Sequence, residues 1–111
     1  MASEFYVVFD DPDWLPAHRD ELTEAIARSA TFVRRDGPVF WLLGLEDREA
    51  PGRWTFDVRI FTEWESGCLL IELSSQPDSV VADLRGWLAW LAGRTRIGVV
   101  DEDGLEMGGW L

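Results

Sequence analysis

One segment of the chain, residues 53–60, alternates strictly between polar and apolar side chains, and this pattern constrains the fold more than any other. Its apolar side chains fall on one face of an extended chain: Trp54, Phe56, Val58 and Ile60. After a turn at Ser66-Gly67 the chain returns as a second apolar segment, 68–73. The two segments predict a β-hairpin and therefore an antiparallel sheet.

The other strands follow from short apolar segments between turn residues. Residues 4–10 are aromatic and β-branched and end at a turn signal, 11–13, which predicts a first strand. Residues 31–35 and 39–45 predict another hairpin, whose second arm is apolar on both faces, as in a central strand covered on each side. Residues 95–100 predict the last strand, and the tail 105–111 is a candidate edge strand.

Two amphipathic helices complete the pattern. The first follows Pro16 and extends over about 14 residues, with Glu24 and Arg28 paired on its polar face. The second follows the segment 75–78, where Ser75 and Asp78 have capping-box spacing, and it ends at Gly93. The order β-α-β-β-β-β-α-β predicts an α+β fold, in which a mostly antiparallel sheet of five to six strands carries both helices. The length fits a single domain spanning residues 1–111.

The chain is strongly acidic. Among its 111 residues, 21 are Asp or Glu and 10 are basic, which gives a formal net charge of −11. Nucleic acids and anionic membranes are bound through clustered Lys and Arg, so the charge excludes both as partners. A basic protein is the natural complement, because a field of one sign steers oppositely charged macromolecules. The alternative is that the charge only keeps the protein soluble.

Several absences bear on the source and the compartment. All ten basic residues are Arg, and Lys and Asn do not occur, as in proteins encoded by GC-rich bacterial genomes. No apolar run approaches the roughly 20 residues that cross a bilayer, and no basic flank of a secretion signal precedes the first apolar segment. The single cysteine, Cys68, cannot form an internal disulfide, which fits a reducing compartment. We therefore expect a cytoplasmic bacterial protein.

Side chains that carry catalysis are sparse. The single histidine, His18, lies near the apolar face of the first helix, where packing accounts for it. Cys68 begins an apolar strand without a basic cluster beside it in the sequence, as expected of an inert core thiol. Neither of the glycine-rich phosphate-binding motifs occurs, and a P-loop needs a lysine that the chain lacks. We expect no enzymatic activity and no cofactor.

The abundant carboxylates also do not match a metal site. Residues 101–104 begin like a calcium-binding loop, but the glycine comes too early and the final glutamate would fall beyond Leu111. Asp10, Asp11 and Asp13 could hold Mg²⁺, yet a turn between a strand and a helix commonly uses aspartates as caps. The pair Glu63 and Glu65 is equally typical of a solvated strand edge. We expect no metal.

The acidic residues are concentrated at the predicted turns, where binding residues are common. Three tryptophans lie among them, Trp14, Trp64 and Trp110, and tryptophan is the residue type most favoured at the centre of an interface. Seven tryptophans are also more than one small core readily buries, although Trp41, Trp54 and Trp87 are expected in the core. The candidate partner-binding residues are Glu63, Trp64, Glu65, Asp101, Glu102 and Asp103.

The chain resembles the immunity proteins of bacterial polymorphic and contact-dependent toxin systems. The resemblance lies in its length, its excess of acidic residues, its α+β hairpin order and the clusters Glu63-Trp64-Glu65 and Asp101-Glu102-Asp103. The resemblance covers the whole chain and is one of general character. It implies a cytoplasmic protein, encoded beside a toxin, that binds the toxin domain and covers its active site. Many such toxins are basic nucleases, for which an acidic protein imitates the phosphate backbone.

Two other functions are also compatible with the sequence. A small ligand-binding or regulatory domain would bury an apolar ligand between tryptophan-lined faces of the sheet. A homodimer or larger homo-oligomer would use the strand of Leu69 and Ile71 and the helix of Trp87 and Trp90 as a self-complementary contact.

Overall fold

A computed structural model describes residues 3–46 and 55–110. Its strands are β1 (Ser3–Phe9), β2 (Phe32–Asp36), β3 (Val39–Leu42), β4 (Val58–Glu65), β5 (Cys68–Leu73) and β6 (Ile97–Asp101). Its helices are α1 (Trp14–Ala17), α2 (Arg19–Ala27) and α3 (Asp78–Arg94), and a short 3-10 helix covers Gly108–Trp110. These strands form one sheet in the order β2-β3-β4-β5-β1-β6, with every neighbouring pair antiparallel. The predicted α+β fold is confirmed.

Helices α2 and α3 lie on the same face of the sheet, and the hydrophobic core lies between this face and the two helices. The sheet contributes Phe5, Val7, Ile60, Leu69 and Ile71, each at most 1% exposed. The helices contribute Leu22, Ile26, Leu84, Leu88 and Leu91. Burying one such side chain contributes about 1.5–3 kcal/mol to folding. Among the described residues, no helix is both long and apolar enough to cross a membrane.

The opposite face of the sheet carries the alternate side chains of the same strands, and we call it the open face. It consists of Glu4, Tyr6, Val8, Arg34, Asp36, Val39, Trp41, Arg59, Phe61, Cys68, Leu70, Glu72, Gly98 and Val100. The predicted central strand, 39–45, is an interior strand of the sheet but shorter, and the helices cover only one of its faces. Val39 and Trp41 lie on the other face and are half-buried, and Phe56 covers part of Trp41 there.

Strand β4 begins later than the alternation predicts, because a buried carboxylate interrupts the pattern. Asp57 is fully buried just before the strand, where its carboxylate accepts hydrogen bonds from the Gly44 N–H at 2.7 Å and from the Ser75 hydroxyl. The alternation therefore shifts by one position. Phe56, predicted on the core face, instead packs against Trp41 on the open face, with ring centroids 5.4 Å apart and the rings tilted by 57°.

The first predicted helix is divided into two at His18. The backbone there has φ −119° and ψ 19°, which ends α1 and lets α2 begin at the next residue. The carbonyl of Trp14 accepts hydrogen bonds from both the His18 N–H at 3.0 Å and the ring Nδ1–H at 2.9 Å, and the two rings stack 4.3 Å apart. The apolar spacing survives the break, since Leu15, Leu22 and Ile26 all remain buried.

The N-terminus of α3 is capped by a different residue from the one predicted. Pro77 occupies the N-cap position, and the Ser75 hydroxyl donates to Asp57 instead of closing a capping box. The exposed Glu46 caps the helix instead. Its carboxylate accepts hydrogen bonds from the Ser79 N–H at 2.8 Å and the Ser79 hydroxyl at 2.5 Å. A carboxylate at a helix N-terminus also interacts favourably with the helix dipole.

This cap is expected to make stability depend on pH. The hydrogen bonds from Ser79, first from its hydroxyl and then from its N–H, lower the pKa of Glu46 from its ordinary value of 4.5. A carboxylate with a lowered folded pKa stabilises the protein above its unfolded pKa, and the contribution is lost as the pH falls through the folded value. We expect the stability difference between the wild type and Glu46→Gln to shrink as urea denaturation is repeated from about pH 6 down to about pH 3. Glu24→Gln, an exposed change on α2, is the control, and a difference that does not change with pH would contradict the capping role.

The tail does not form the predicted edge strand over residues 105–110. An isolated bridge joins Glu106 to Val100, and the chain then turns inward as the 3-10 helix. Trp110, which lies near acidic residues in the sequence, is 9% exposed and stacks on Phe5 with ring centroids 5.1 Å apart. Burying the large indole against the core stabilises this arrangement more than one further pair of strand hydrogen bonds could.

Candidate protein-binding site

The two clusters predicted to bind a partner lie at opposite ends of the sheet. Strand β4 ends at Glu65, opposite Cys68, and that end also holds Phe9, the last residue of β1. Strand β6 runs antiparallel to β1, so its last residue, Asp101, pairs with Phe5 near the other end. We call these the hairpin end and the tail end. The structure brings together residues 63–65 and, separately, residues 101–103, but it does not combine the six into one cluster.

At the tail end, the carboxylate of Asp101 is used to hold the turn. Its Oδ1 accepts hydrogen bonds from the N–H groups of Asp103 and Leu105, both at 2.9 Å, and Gly104 takes the left-handed conformation with φ 81°. Asp101 is half-buried as a result, whereas Glu102 and Asp103 are exposed. Asp101 is therefore a turn-forming residue, and Glu102 and Asp103 carry the accessible charge at this end.

At the hairpin end, the turn after β1 packs against the β4–β5 hairpin and leaves a cleft. Gly67 makes the close approach possible, since it has φ +69° and a Cβ placed there would lie 2.9 Å from Cβ of Pro12. The Phe9 N–H donates to the Gly67 carbonyl at 2.9 Å and fixes the two segments together. The cleft has a volume of about 430 Å³ and is lined by Pro12, Asp13, Leu15, Pro16, Arg19, Glu63, Trp64, Glu65, Ser66 and Gly67.

The hairpin cleft combines carboxylates with an exposed indole. Three of its lining residues are acidic, Asp13, Glu63 and Glu65, and one is basic, Arg19. Arg19 lies 3.5 Å from Glu63 and also donates to the Thr62 carbonyl at 3.4 Å, so it orients one wall of the cleft. Trp64 is 46% exposed, and its ring meets that of Phe61 edge to face at 5.9 Å. The indole therefore stands between the cleft and the open face.

Asp13 and Arg19 were not among the predicted site residues. Asp13 belongs to an acidic turn that the sequence shows plainly, but nothing in the sequence places that turn beside residues 63–67. The placement results from the pairing of β1 with β5, which joins segments some 60 residues apart in the chain. Arg19 gives no separate signal, because its spacing is that of the polar face of an ordinary helix.

The other tryptophans within residues 3–46 and 55–110 do not line the cleft. Trp14 is half-buried and stacks between Phe9 and His18, and Trp87 is buried in the core as predicted. Trp54 lies outside the described residues. Trp41, predicted in the core, is half-buried on the open face.

The single cysteine is not a core residue. Cys68 lies on the open face, half-buried, opposite Val8 of β1. Partial burial raises the pKa of its thiol, and the nearby Glu65 raises it further. A thiol that resists ionisation is a poor nucleophile. Across residues 3–46 and 55–110, no group of three His, Cys, Asp or Glu side chains is arranged to hold a metal ion.

The surface suggested for self-association is not available. Leu69 and Ile71 are fully buried beneath the helices, and Trp87 is 5% exposed. Only Trp90 of that set is partly accessible, so the strand and the helix cannot form the predicted contact between copies.

No protein-family model matches the chain, and searches of curated proteins and of solved structures gave no significant match. The function therefore has to be inferred from the chemistry of the surface. The hairpin cleft is the feature that joins a concave shape, a half-exposed tryptophan and an excess of negative charge.

Proposed function

We propose that this protein is a non-enzymatic acidic binding protein, and that it acts as an immunity protein that neutralises a bacterial toxin by covering a basic surface at the toxin's active site. The observation that supports this is the hairpin cleft, which is lined by Trp64 together with Asp13, Glu63 and Glu65. On this proposal the protein works in the bacterial cytoplasm with a basic protein as its partner.

The chemistry of the cleft suits an Arg or Lys side chain of the partner. Carboxylates accept short charge-assisted hydrogen bonds from a guanidinium, and an indole face attracts a cation. Tryptophan also contributes a large apolar contact at little cost in side-chain entropy. Small-molecule pockets are usually mostly apolar, whereas charged and polar residues form much of this cleft, so the cleft favours a basic protein over an apolar ligand.

The decisive experiment is to express the tagged protein together with the polypeptide encoded by the adjacent reading frame of its source genome. We expect a stoichiometric complex with a basic polypeptide that poisons cells when it is expressed alone. The matching control expresses the neighbour with an unrelated acidic protein, which should neither bind nor protect. A neighbour that is harmless alone, or that is not captured, would contradict the proposed function.

The carboxylates of the cleft are expected to act mainly on the association rate. Removing charge with the double variant Glu63→Gln/Glu65→Gln weakens the field that steers the partner, so association should slow by about 3- to 10-fold at low salt, with little change in dissociation. Stopped-flow measurements between about 50 and 500 mM salt should also show wild-type association slowing steeply. The double variant Glu21→Gln/Glu24→Gln removes the same charge from exposed positions on α2 and is the matched control. Equal association rates for both double variants would place the contact elsewhere.

A further inference from the structure

The open face carries a continuous apolar band. Five residues lie in one register across five neighbouring strands: Val39, Phe61, Leu70, Tyr6 and Val100. Leu70 is 2% exposed, the other four residues of the band are half-buried, and Val8 beside the band is 40% exposed. An apolar centre of this kind is typical of the buried middle of a protein interface.

The charges around this band are predominantly negative once internal pairs are considered. Arg59 donates to Glu72 through two nitrogens, at 2.6 and 2.9 Å, and Arg34 lies 3.0 Å from Asp36, so these charges compensate each other in pairs. Glu4, Glu65 and Glu102 form no ion pair with the described parts of the chain, residues 3–46 and 55–110. The apolar band is therefore bordered by uncompensated carboxylates.

Tyr6 lies within reach of carboxylates from both ends of the sheet. Partial burial raises the pKa of its phenol, and Glu4, Glu102 and Glu65 raise it further. Glu65 belongs to the hairpin end and Glu102 to the tail end, so the two separated acidic clusters border one surface. Tyr6 lies near the middle of that surface, between the two clusters.

The size of the open face also fits an interface. Six strands spaced about 4.8 Å apart and about six residues long cover roughly 24 by 20 Å, or on the order of 500 Å². A standard interface buries about 800 Å² on each partner, more than a single cleft offers. The open face is smaller than that, and the hairpin cleft beside it at Trp64 adds to the surface that a partner can cover.

We propose that the open face is the main docking surface for a basic protein, with its apolar band at the centre and with Glu4, Glu65 and Glu102 at the edge. This inference rests on the proposed function and specifies where the partner binds. A second copy of the chain is the poorer occupant, because it would bring like carboxylates together and each copy has a net charge of −11. A basic partner instead neutralises these carboxylates as its apolar surface covers Tyr6 and Phe61.

The test uses the complex with the polypeptide of the adjacent reading frame, and it compares two valines that are both exposed on strands. Val8→Arg places a bulky cation within the proposed docking surface, whereas Val33→Arg places the same side chain on the edge strand β2, where Val33 is 50% exposed. We expect Val8→Arg to raise the Kd at least 30-fold and Val33→Arg to change it less than 3-fold, with thermal unfolding confirming that both variants fold. Similar Kd values for the two variants would overturn the proposal.

A second readout needs no substitution, because Cys68 is the single cysteine of the chain and lies on the open face. Its alkylation by iodoacetamide, followed by mass spectrometry, should slow at least 10-fold in the complex.

If Trp64→Ala weakens binding while Cys68 stays reactive and Val8→Arg binds normally, the partner uses the cleft alone, so this inference fails and the proposed function stands. If the neighbour does not bind at all, both fail. A dimer of the free chain in sedimentation equilibrium that is abolished by Val8→Arg would make a second copy the occupant and would also overturn the proposal.

Discussion

Replacing Asp57 by alanine is expected to lower the free energy of unfolding by about 3 kcal/mol, and the Tm by about 10–15 °C. The carboxylate is fully buried and accepts hydrogen bonds from the Gly44 N–H and the Ser75 hydroxyl. Alanine would leave these partly buried donors without their acceptor and would empty the space of a buried side chain, which costs more than the loss of a solvated hydrogen bond. The backbone of Asp57 also accepts hydrogen bonds from the N–H groups of Ser74 and Ser75, so the residue joins three segments at the tail end of the sheet.

Two further variants test this role for Asp57. Asp57→Asn keeps one acceptor oxygen of similar shape and should lose less stability than Asp57→Ala. Asp103→Ala removes an exposed carboxylate from a turn at the same end and should change the free energy of unfolding by less than about 0.5 kcal/mol. Urea denaturation followed by tryptophan fluorescence measures all three. Equal stability of Asp57→Ala and Asp103→Ala would show that the buried hydrogen bonds do not hold these segments together.

Replacing Trp64 by alanine is expected to speed dissociation of the protein partner about 100-fold, with less than 3-fold change in association. Truncating a tryptophan at the centre of an interface commonly costs about 2–4 kcal/mol, and such losses are found mainly in the dissociation rate. Trp64 is 46% exposed, lies outside the hydrophobic core and meets the Phe61 ring edge to face, so its removal should leave the fold intact. Surface plasmon resonance with the adjacent-frame polypeptide would measure both rates.

The controls for Trp64 separate an interface role from a general loss of tryptophan. Trp64→Phe keeps an aromatic face and should recover most of the lifetime of the complex. Trp90→Ala removes a half-buried tryptophan from the α2–α3 groove, where it lies 5.0 Å from the guanidinium of Arg94, and should leave dissociation unchanged. If Trp64→Ala and Trp90→Ala dissociate at the same rate, Trp64 is not the anchor of the site.

Local pattern predicted the elements well where each depends on its own residues. The hairpin turns contain Gly37 and Gly67, which both have positive φ, and the alternating residues of β4 and β5 lie on the faces their spacing predicts. Predictions failed where a residue distant in the sequence provided the hydrogen bond that a nearby residue was expected to make. Ser75 had the spacing of a helix cap but bonds Asp57, and Glu46 from another segment caps α3 in its place.

The candidate site was predicted in part. Glu63, Trp64 and Glu65 are adjacent in sequence and remain together in the cleft, because a hairpin keeps its own residues close. Asp101 also lies in an acidic cluster of the sequence, yet it is half-buried and its carboxylate accepts the hydrogen bonds that close its own turn. Trp110 lies near acidic residues in sequence and is buried, since the chain after β6 folds back on the core.

Side-chain periodicity, turn residues and net charge are local or additive properties, and they were enough to predict the α+β class, the hairpins and the acidic surface. Which surfaces are accessible, and which charges lie close together, depends on how the strands pair in the folded chain. The insertion of β1 between β5 and β6 places residues 63–65 and 101–103 at opposite ends of the sheet, and it brings Asp13 to the hairpin. Strand order depends on long-range packing between segments, which no short pattern contains, and it also leaves one whole face of the sheet free of the helices α2 and α3.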